Sequence, residues 1–449
     1  MDLRRRLLSQ STVIFGARLF GAGLVFLAQA AIARLWGADV LGEYLLLIAA
    51  VNLVAVVMPL GFETIGTYFA AEYRAKGEGR LLRGFVARAY LHVLLVGALL
   101  FFAGPLVAPW FGEPGKIILA YGIPAVLMAL ATAAVFINSA VLVGLKRPFA
   151  GFFADGVFRP MLIVCAFLAV ILTAPAAEGF SQLIWILAVG FVVIAIAQLA
   201  YLWRNLRTVP LETEARPHEV RRWWRFALPW VVIALATDYF FDFDLLLLSG
   251  HLSREELAIF GVCTRIFSLV SFAVAAVYAV TLPDIFESEA MSDRAGFRRK
   301  IGDANLVAAV LAVALFAIMA VGSPLLLALF GPSFLAGAAP LSVLCLALVV
   351  RAALGPAALV LSIHDRPYAS LPSVALGLGT LVMANLLLVE PFGLMGAASA
   401  ALIAITTWSV ALWYTALKGA GFDVSILARL RRSKVEGNPQ AGVGILPVD

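Results

Sequence analysis

Four arginines stand deep inside long apolar runs: Arg18, Arg159, Arg265 and Arg351. A guanidinium at the centre of a membrane helix costs roughly 2.5–3.5 kcal/mol on insertion scales, so each must face protein or a wet cavity. Arg34 and Arg88 lie near run ends, where a long side chain snorkels to the interface. Two chemistries are open to the deep ones. The guanidinium fork matches phosphate oxygens, so it can grip an anionic ligand; alternatively it pairs with a carboxylate and locks helices together. Both stay open for Arg159, because Asp155 lies one turn before it at the i,i+4 spacing. Arg18 and Arg351 have no acidic neighbour in sequence, which favours the anion-gripping reading. Gly355-Pro356 follows Arg351 closely, and the proline removes one helical hydrogen bond, predicting a bend with a free carbonyl.

A second constellation is acidic. Asp238, Asp242 and Asp244 fall within Asp238-Tyr239-Phe240-Phe241-Asp242-Phe243-Asp244, and in a continuous helix the first two share a face. Carboxylates at that depth serve either as a proton or sodium site coupling transport to an ion gradient, or as counter-charges to the arginines. Cys165, Cys263 and Cys345 lie in apolar runs without metal-ligand spacing, and His92, His218, His251 and His364 are scattered singly. We therefore expect no cofactor and no metal, apart from H+ or Na+ as a coupling ion.

The elements that must position these residues are membrane helices. Hydrophobic residues make up 63% of the 449 and charged residues 13%, far from soluble-domain usage, which excludes a water-solvated core as the main structure. Twelve apolar runs are long enough to cross a hydrocarbon layer: 12–35, 41–63, 84–102, 117–145, 151–173, 181–203, 226–249, 257–282, 304–330, 336–363, 368–389 and 394–417. The connections on one side, with both termini, hold 25 of the 33 Lys and Arg residues, whereas the other side holds only Lys116 and Arg254. By the positive-inside rule both termini are cytoplasmic.

The hydrophilic stretch 204–225 divides the chain into a six-helix lobe at 1–203 and a second at 226–418, followed by a tail at 419–449 that is basic at Arg429, Arg431, Arg432 and Lys434. The halves repeat in order: Arg147-Pro148-Phe149-Ala150 corresponds to Arg366-Pro367-Tyr368-Ala369, and Leu41-Gly42-Glu43-Tyr44 to Leu257-Ala258-Ile259-Phe260. An even number of helices per half makes the repeats parallel, related by an axis along the membrane normal, with substrate expected between them. The fold class is thus an all-α polytopic membrane protein, two pseudo-symmetric lobes of six helices around a central cavity.

Four segments carry a family resemblance. Trp36-Gly37-Ala38-Asp39-Val40-Leu41-Gly42-Glu43-Tyr44 opens span 2, and Leu60-Gly61-Phe62-Glu63 leads into Tyr68-Phe69-Ala70-Ala71-Glu72-Tyr73. Leu329-Phe330-Gly331-Pro332-Ser333-Phe334 forms a turn in the second half, and Glu390-Pro391-Phe392-Gly393-Leu394-Met395-Gly396-Ala397-Ala398 leads into span 12. In order and spacing the chain resembles the polysaccharide transporter branch of the multidrug/oligosaccharidyl-lipid/polysaccharide flippase superfamily. The resemblance implies alternating access in the inner membrane and export of an undecaprenyl-diphosphate-linked saccharide for O-antigen, capsule or exopolysaccharide, with a polysaccharide polymerase as a candidate partner. Nucleic acid is not an expected partner. A cation-coupled multidrug or metabolite exporter of the same superfamily is the alternative, although arginines in its path would repel a cationic drug. A membrane polymerase or glycosyltransferase fits less well, because the outer connections are short and the inner ones lack an acid/base set. The chain is not expected to be an enzyme.

Overall fold

In hydrocarbon every backbone N–H and C=O must be satisfied inside the protein, and helices do this within a single segment. The computed structural model describes residues 3–173, 175, 178–211, 217–291, 294–363, 367–419 and 421–428, and these contain helices and turns without a strand. The basic cluster Arg429–Lys434, residues 212–216 of the central stretch, and Arg366 of the repeat lie outside the described residues. The chain forms two compact units, one of residues 1–261 with 329–333, the other of 262–328 and 334–449.

The first unit contains α1 (Leu3–Trp36), α2 (Ala38–Val57), α3 (Phe62–Lys76), α4 (Gly79–Val107), α5 (Gly112–Ala120), α6 (Gly122–Gly144), α7 (Pro148–Phe153), α8 (Arg159–Thr173), α9 (Gly179–Leu206), α10 (Pro217–Thr237) and α11 (Phe240–Leu248). It closes with the first turns of α12 (Arg254–Ala290), in which the chain passes to the second unit. At the centre α6 packs on α2, α3, α4 and α9. Polar side chains tie this apolar core: Tyr90 donates to the fully buried Asn138 at 2.7 Å, and Gln198 donates to Ser139 at 3.1 Å and to the Ala150 carbonyl at 3.0 Å. Such interhelical bonds contribute roughly 0.6–2 kcal/mol each in a membrane.

The second unit contains the rest of α12, then α13 (Arg294–Leu327), α14 (Ala338–Leu354), α15 (Ala357–Ile363) and α16 (Leu371–Gly419), with α14 packed on both α13 and α16. Helix α16 is two arms. Gly393 has φ 53° and ψ −130°, outside helical space, just after Pro391. The arms run antiparallel: Ser373 and Thr415 hydroxyls are 3.2 Å apart, and at the tight end a Cβ on Gly396 would sit 2.0 Å from the Leu388 carbonyl oxygen. Only glycine fits that approach.

Ten described helical stretches are long and apolar enough to cross a membrane. The last of them, Tyr368–Gly419, holds both arms of α16. The run 226–249 is absent from the ten because it is broken between α10 and α11, where Asp238 and Tyr239 N–H both turn onto the Ala234 carbonyl at 2.9 and 3.2 Å. The apolar runs of the sequence are thus largely helical, with 226–249 and 336–363 each divided by a break and 368–389 joined to 394–417 by a tight turn. The all-helical polytopic membrane class is what the structure shows.

Candidate functional site

Arg159 opens α8 after a π-helical turn at Ala154–Phe158. The wider turn sets Asp155 beside the guanidinium, and Nη1 donates to its Oδ1 at 2.7 Å. Nη2 donates to Thr132 of α6, and the group lies over the Phe191 ring of α9 at 4.1 Å. The arginine is 7% exposed, and its Nε is buried without a hydrogen-bond partner. Of the two chemistries open in the sequence, the geometry of Arg159 is that of a lock between α6, α8 and α9.

Arg18 approaches the same short segment from α1. Its guanidinium lies over Phe152 at 4.6 Å, and its Cγ would meet a Cβ on Gly156 at 3.6 Å. Among the described residues no carboxylate pairs with it. Arg18 lies six residues beyond Thr12, where the apolar part of α1 begins, or about 9 Å along the helix at 1.5 Å per residue. An exposed cation on an aromatic face, inside an apolar helix, can still offer its donors to an anion. The structure thus brings Arg18 and Arg159 to one segment, 152–159, in different states: one neutralised, the other not.

Asp238 and Asp242 do not lie on one continuous helix, because the helix that would align them is interrupted between α10 and α11. Asp238 follows the end of α10 and is exposed, whereas Asp242 and Asp244 belong to α11 and are 6% and 0% exposed. The break places Asp242 in the first turn of α11, where free N–H groups and the helix dipole favour a negative charge. Asn52 of α2 donates its Nδ2 to Asp242 Oδ2 at 3.0 Å. Asn52 was not singled out in the sequence, although it is the lone amide in the apolar run 41–63.

In the second unit Arg265 is half-buried on α12. Arg351 lies in the last turn of α14, and its guanidinium sits over the Trp408 ring at 5.7 Å. The bend expected at Gly355-Pro356 is a full break: α14 stops at Leu354 and Gly355 has φ 82°. A cation at a helix C-terminus is favoured by the dipole.

Two charge networks escaped sequence reading, because the bonds that join their helices span 141 to 211 positions. At the cytoplasmic side expected from charge distribution, Arg222 of α10 holds Glu72 of α3 and reaches Glu219 at 3.3 Å. Tyr73 donates to Glu219 at 2.7 Å and accepts from Trp223 at 2.6 Å. Burial pushes the Glu72 carboxyl upward, but hydrogen bonds from Arg222 and Lys76 outweigh it and hold the group below its usual range. The bond to Glu72 raises Arg222 further. At the opposite ends of the helices Arg254 bridges Glu43 of α2 and Glu113 of α5, both at 3.2 Å, and Lys116 holds Glu113 at 2.6 Å.

No family model matches the chain, and no curated protein matches its sequence. In three dimensions it is similar to a multidrug resistance MATE family transporter of the MOP superfamily in its inward-facing conformation, at 15% identity and TM-score 0.74, covering 93% of this chain and 96% of that one. It is also similar to the lipid II flippase MurJ in an inward closed conformation, at 13% identity and TM-score 0.71, over 90% of this chain and 87% of that one. A third likeness is a MOP superfamily transporter from Pyrococcus furiosus described as having a binding pocket of reversed polarity, at 15% identity and TM-score 0.64, over 94% and 95%. At these identities the likeness establishes the fold, and function must be argued from the site.

Proposed function

We propose that the chain is a flippase that carries an anionic lipid-linked saccharide, with an undecaprenyl-diphosphate anchor, across the inner membrane by alternating access. The observation that carries this reading is Arg18: a guanidinium inside an apolar helix, seated on Phe152 and without a carboxylate partner among the described residues. Keeping such a charge in an apolar run is costly unless an anion uses it. In the second unit, Arg351, on Trp408 beside a broken helix, and Arg265 are the residues we assign to contact with the substrate. Arg159 supports the site by fixing the segment that Arg18 faces. The likeness to a lipid II flippase agrees with a lipid-linked cargo.

On this reading both termini face the cytoplasm and a polysaccharide polymerase receives the cargo. Asp242, with Asn52, is the coupling site for H+ or Na+, and Asp238 and Asp244 flank it. A second reading, a cation-coupled multidrug exporter, is favoured by the likeness to MATE transporters and by this same carboxylate. One experiment separates them: export of lipid-linked glycan in a flippase-deficient strain against drug tolerance in an exporter-deficient strain. Rescue of glycan export that is lost in Arg18→Ala supports the flippase. Drug tolerance without glycan rescue overturns it.

A further inference from the structure

Past the second arm of α16 the chain turns back and packs residues 421–428 against α13, α16 and the break after α14. Arg298 of α13 donates to the Gly421 carbonyl at 3.1 Å, and its guanidinium lies over Phe422 at 5.0 Å. Phe297 packs on the same ring at 5.0 Å, and Phe422 is 5% exposed. Trp413 of α16 donates to Asp423 at 2.9 Å, while Asp423 caps the Ser425 N–H and hydroxyl at 3.0 and 2.7 Å. Val424 then reaches the break after α14. Its carbonyl oxygen accepts from Asn305 Nδ2 at 3.0 Å and lies so close to Gly355 that a Cβ there would sit 2.0 Å from it.

Asn305 is 0% exposed, at the point where α13 passes from its charged first turns, with Lys300 and Asp303, into an apolar stretch. A buried amide costs free energy unless both ends are bonded. Here Oδ1 accepts from Tyr278 of α12 at 2.7 Å, and Nδ2 is spent on Val424. Neither bond serves α13 itself. What the amide does is seat the strap on the break, and Gly355 N–H in turn closes on the Arg351 and Ala352 carbonyls at 3.2 Å.

We propose that residues 421–425 are a strap that fixes the helix break at Gly355 and thereby positions Arg351, with Asn305 as the buried positioning residue. This rests on the reading of Arg351 as a substrate contact. The strap leaves α14 a rigid end from which the guanidinium projects over Trp408, instead of a frayed last turn.

The test uses the full chain in detergent and in proteoliposomes, with Asn305→Leu, which keeps an apolar packing volume, and Asp423→Ala, which loosens the strap from its other side. In both, amide hydrogen exchange in peptides covering 353–358 is expected to rise about tenfold, while the amino-terminal turns of α14 and the melting temperature stay as in the parent chain. Half-saturation for lipid-linked diphosphate substrate is expected to rise about fivefold with the maximal rate within about twofold, a split that uniform destabilisation does not produce. Unchanged exchange at 353–358 in both variants overturns the strap. If Asn305→Leu lowers the melting temperature, Asp423→Ala decides alone: a local rise supports the proposal and its absence overturns it. Normal transport by Arg351→Ala overturns the substrate reading instead, and the exchange result still judges the strap.

Discussion

Arg222 holds Glu72 through both terminal nitrogens, Nη1 on Oε1 at 3.1 Å and Nη2 on Oε2 at 2.8 Å, across 150 positions of sequence. The fork-on-carboxylate geometry joins α10 to α3, and the guanidinium also covers Phe69 at 5.0 Å. With Arg254 on Glu43 and Glu113, it secures the segment 217–261 to the first unit at both of its ends.

Removing that pair should lower stability in a pH-dependent way. The Glu72 carboxyl titrates below its ordinary 4.5 in the folded chain, so its contribution is present above that value and lost as pH falls through the depressed one. Glu72→Gln should therefore cost about 1 kcal/mol near neutrality, given the partial exposure of the pair, and nothing in strong acid. Melting temperatures of both chains between neutrality and strong acid check this; a gap that persists in acid contradicts it.

Arg18→Ala and Arg351→Ala should insert and fold normally yet abolish complementation of a flippase-deficient strain. Membrane-fraction abundance and surface glycan are the measurements. Arg18→Lys should restore less than the parent, because an ammonium lacks the planar fork that matches two phosphate oxygens.

Asp155→Asn should behave differently from either. It strips the counter-charge from a guanidinium that is 7% exposed, which costs about 2 kcal/mol after allowing for the exposed position of Asp155 itself. The loss should appear in melting temperature, and a double-mutant cycle with Thr132→Val should show coupling through Arg159. Full stability in Asp155→Asn would return Arg159 to the list of substrate contacts.

Asp242→Asn should uncouple transport from the ion gradient while leaving downhill exchange of substrate. Asn52→Leu should shift the concentration of coupling cation needed, since it removes the amide that orients Asp242 Oδ2. Both are read in proteoliposomes with imposed H+ or Na+ gradients. Gradient-driven accumulation by Asp242→Asn would reject the coupling role.

The apolar runs were legible because a bilayer allows one answer to a twenty-residue hydrophobic stretch, a helix. Gly355-Pro356 announced its break for the same local reason, that proline cannot continue the hydrogen-bond ladder. The interruption at Asp238-Tyr239 was not legible, because no glycine or proline stands there and the N–H turn onto Ala234 depends on surroundings. Of the charged residues, Arg159 and Asp155 could be paired from their spacing, but Arg222 with Glu72, Asn52 with Asp242 and Asn305 with Val424 meet only through the tertiary fold. Periodicity carries information about neighbours four positions away and none about partners at 119 to 190.

The turn at Gly393 has a consequence for biogenesis. With a Cβ at Gly396 only 2.0 Å from the Leu388 carbonyl oxygen, the two arms of α16 leave no slack at their junction. A side chain at position 396 would force the arms apart at the turn, so Gly396→Val should lower the yield of folded protein in the membrane fraction.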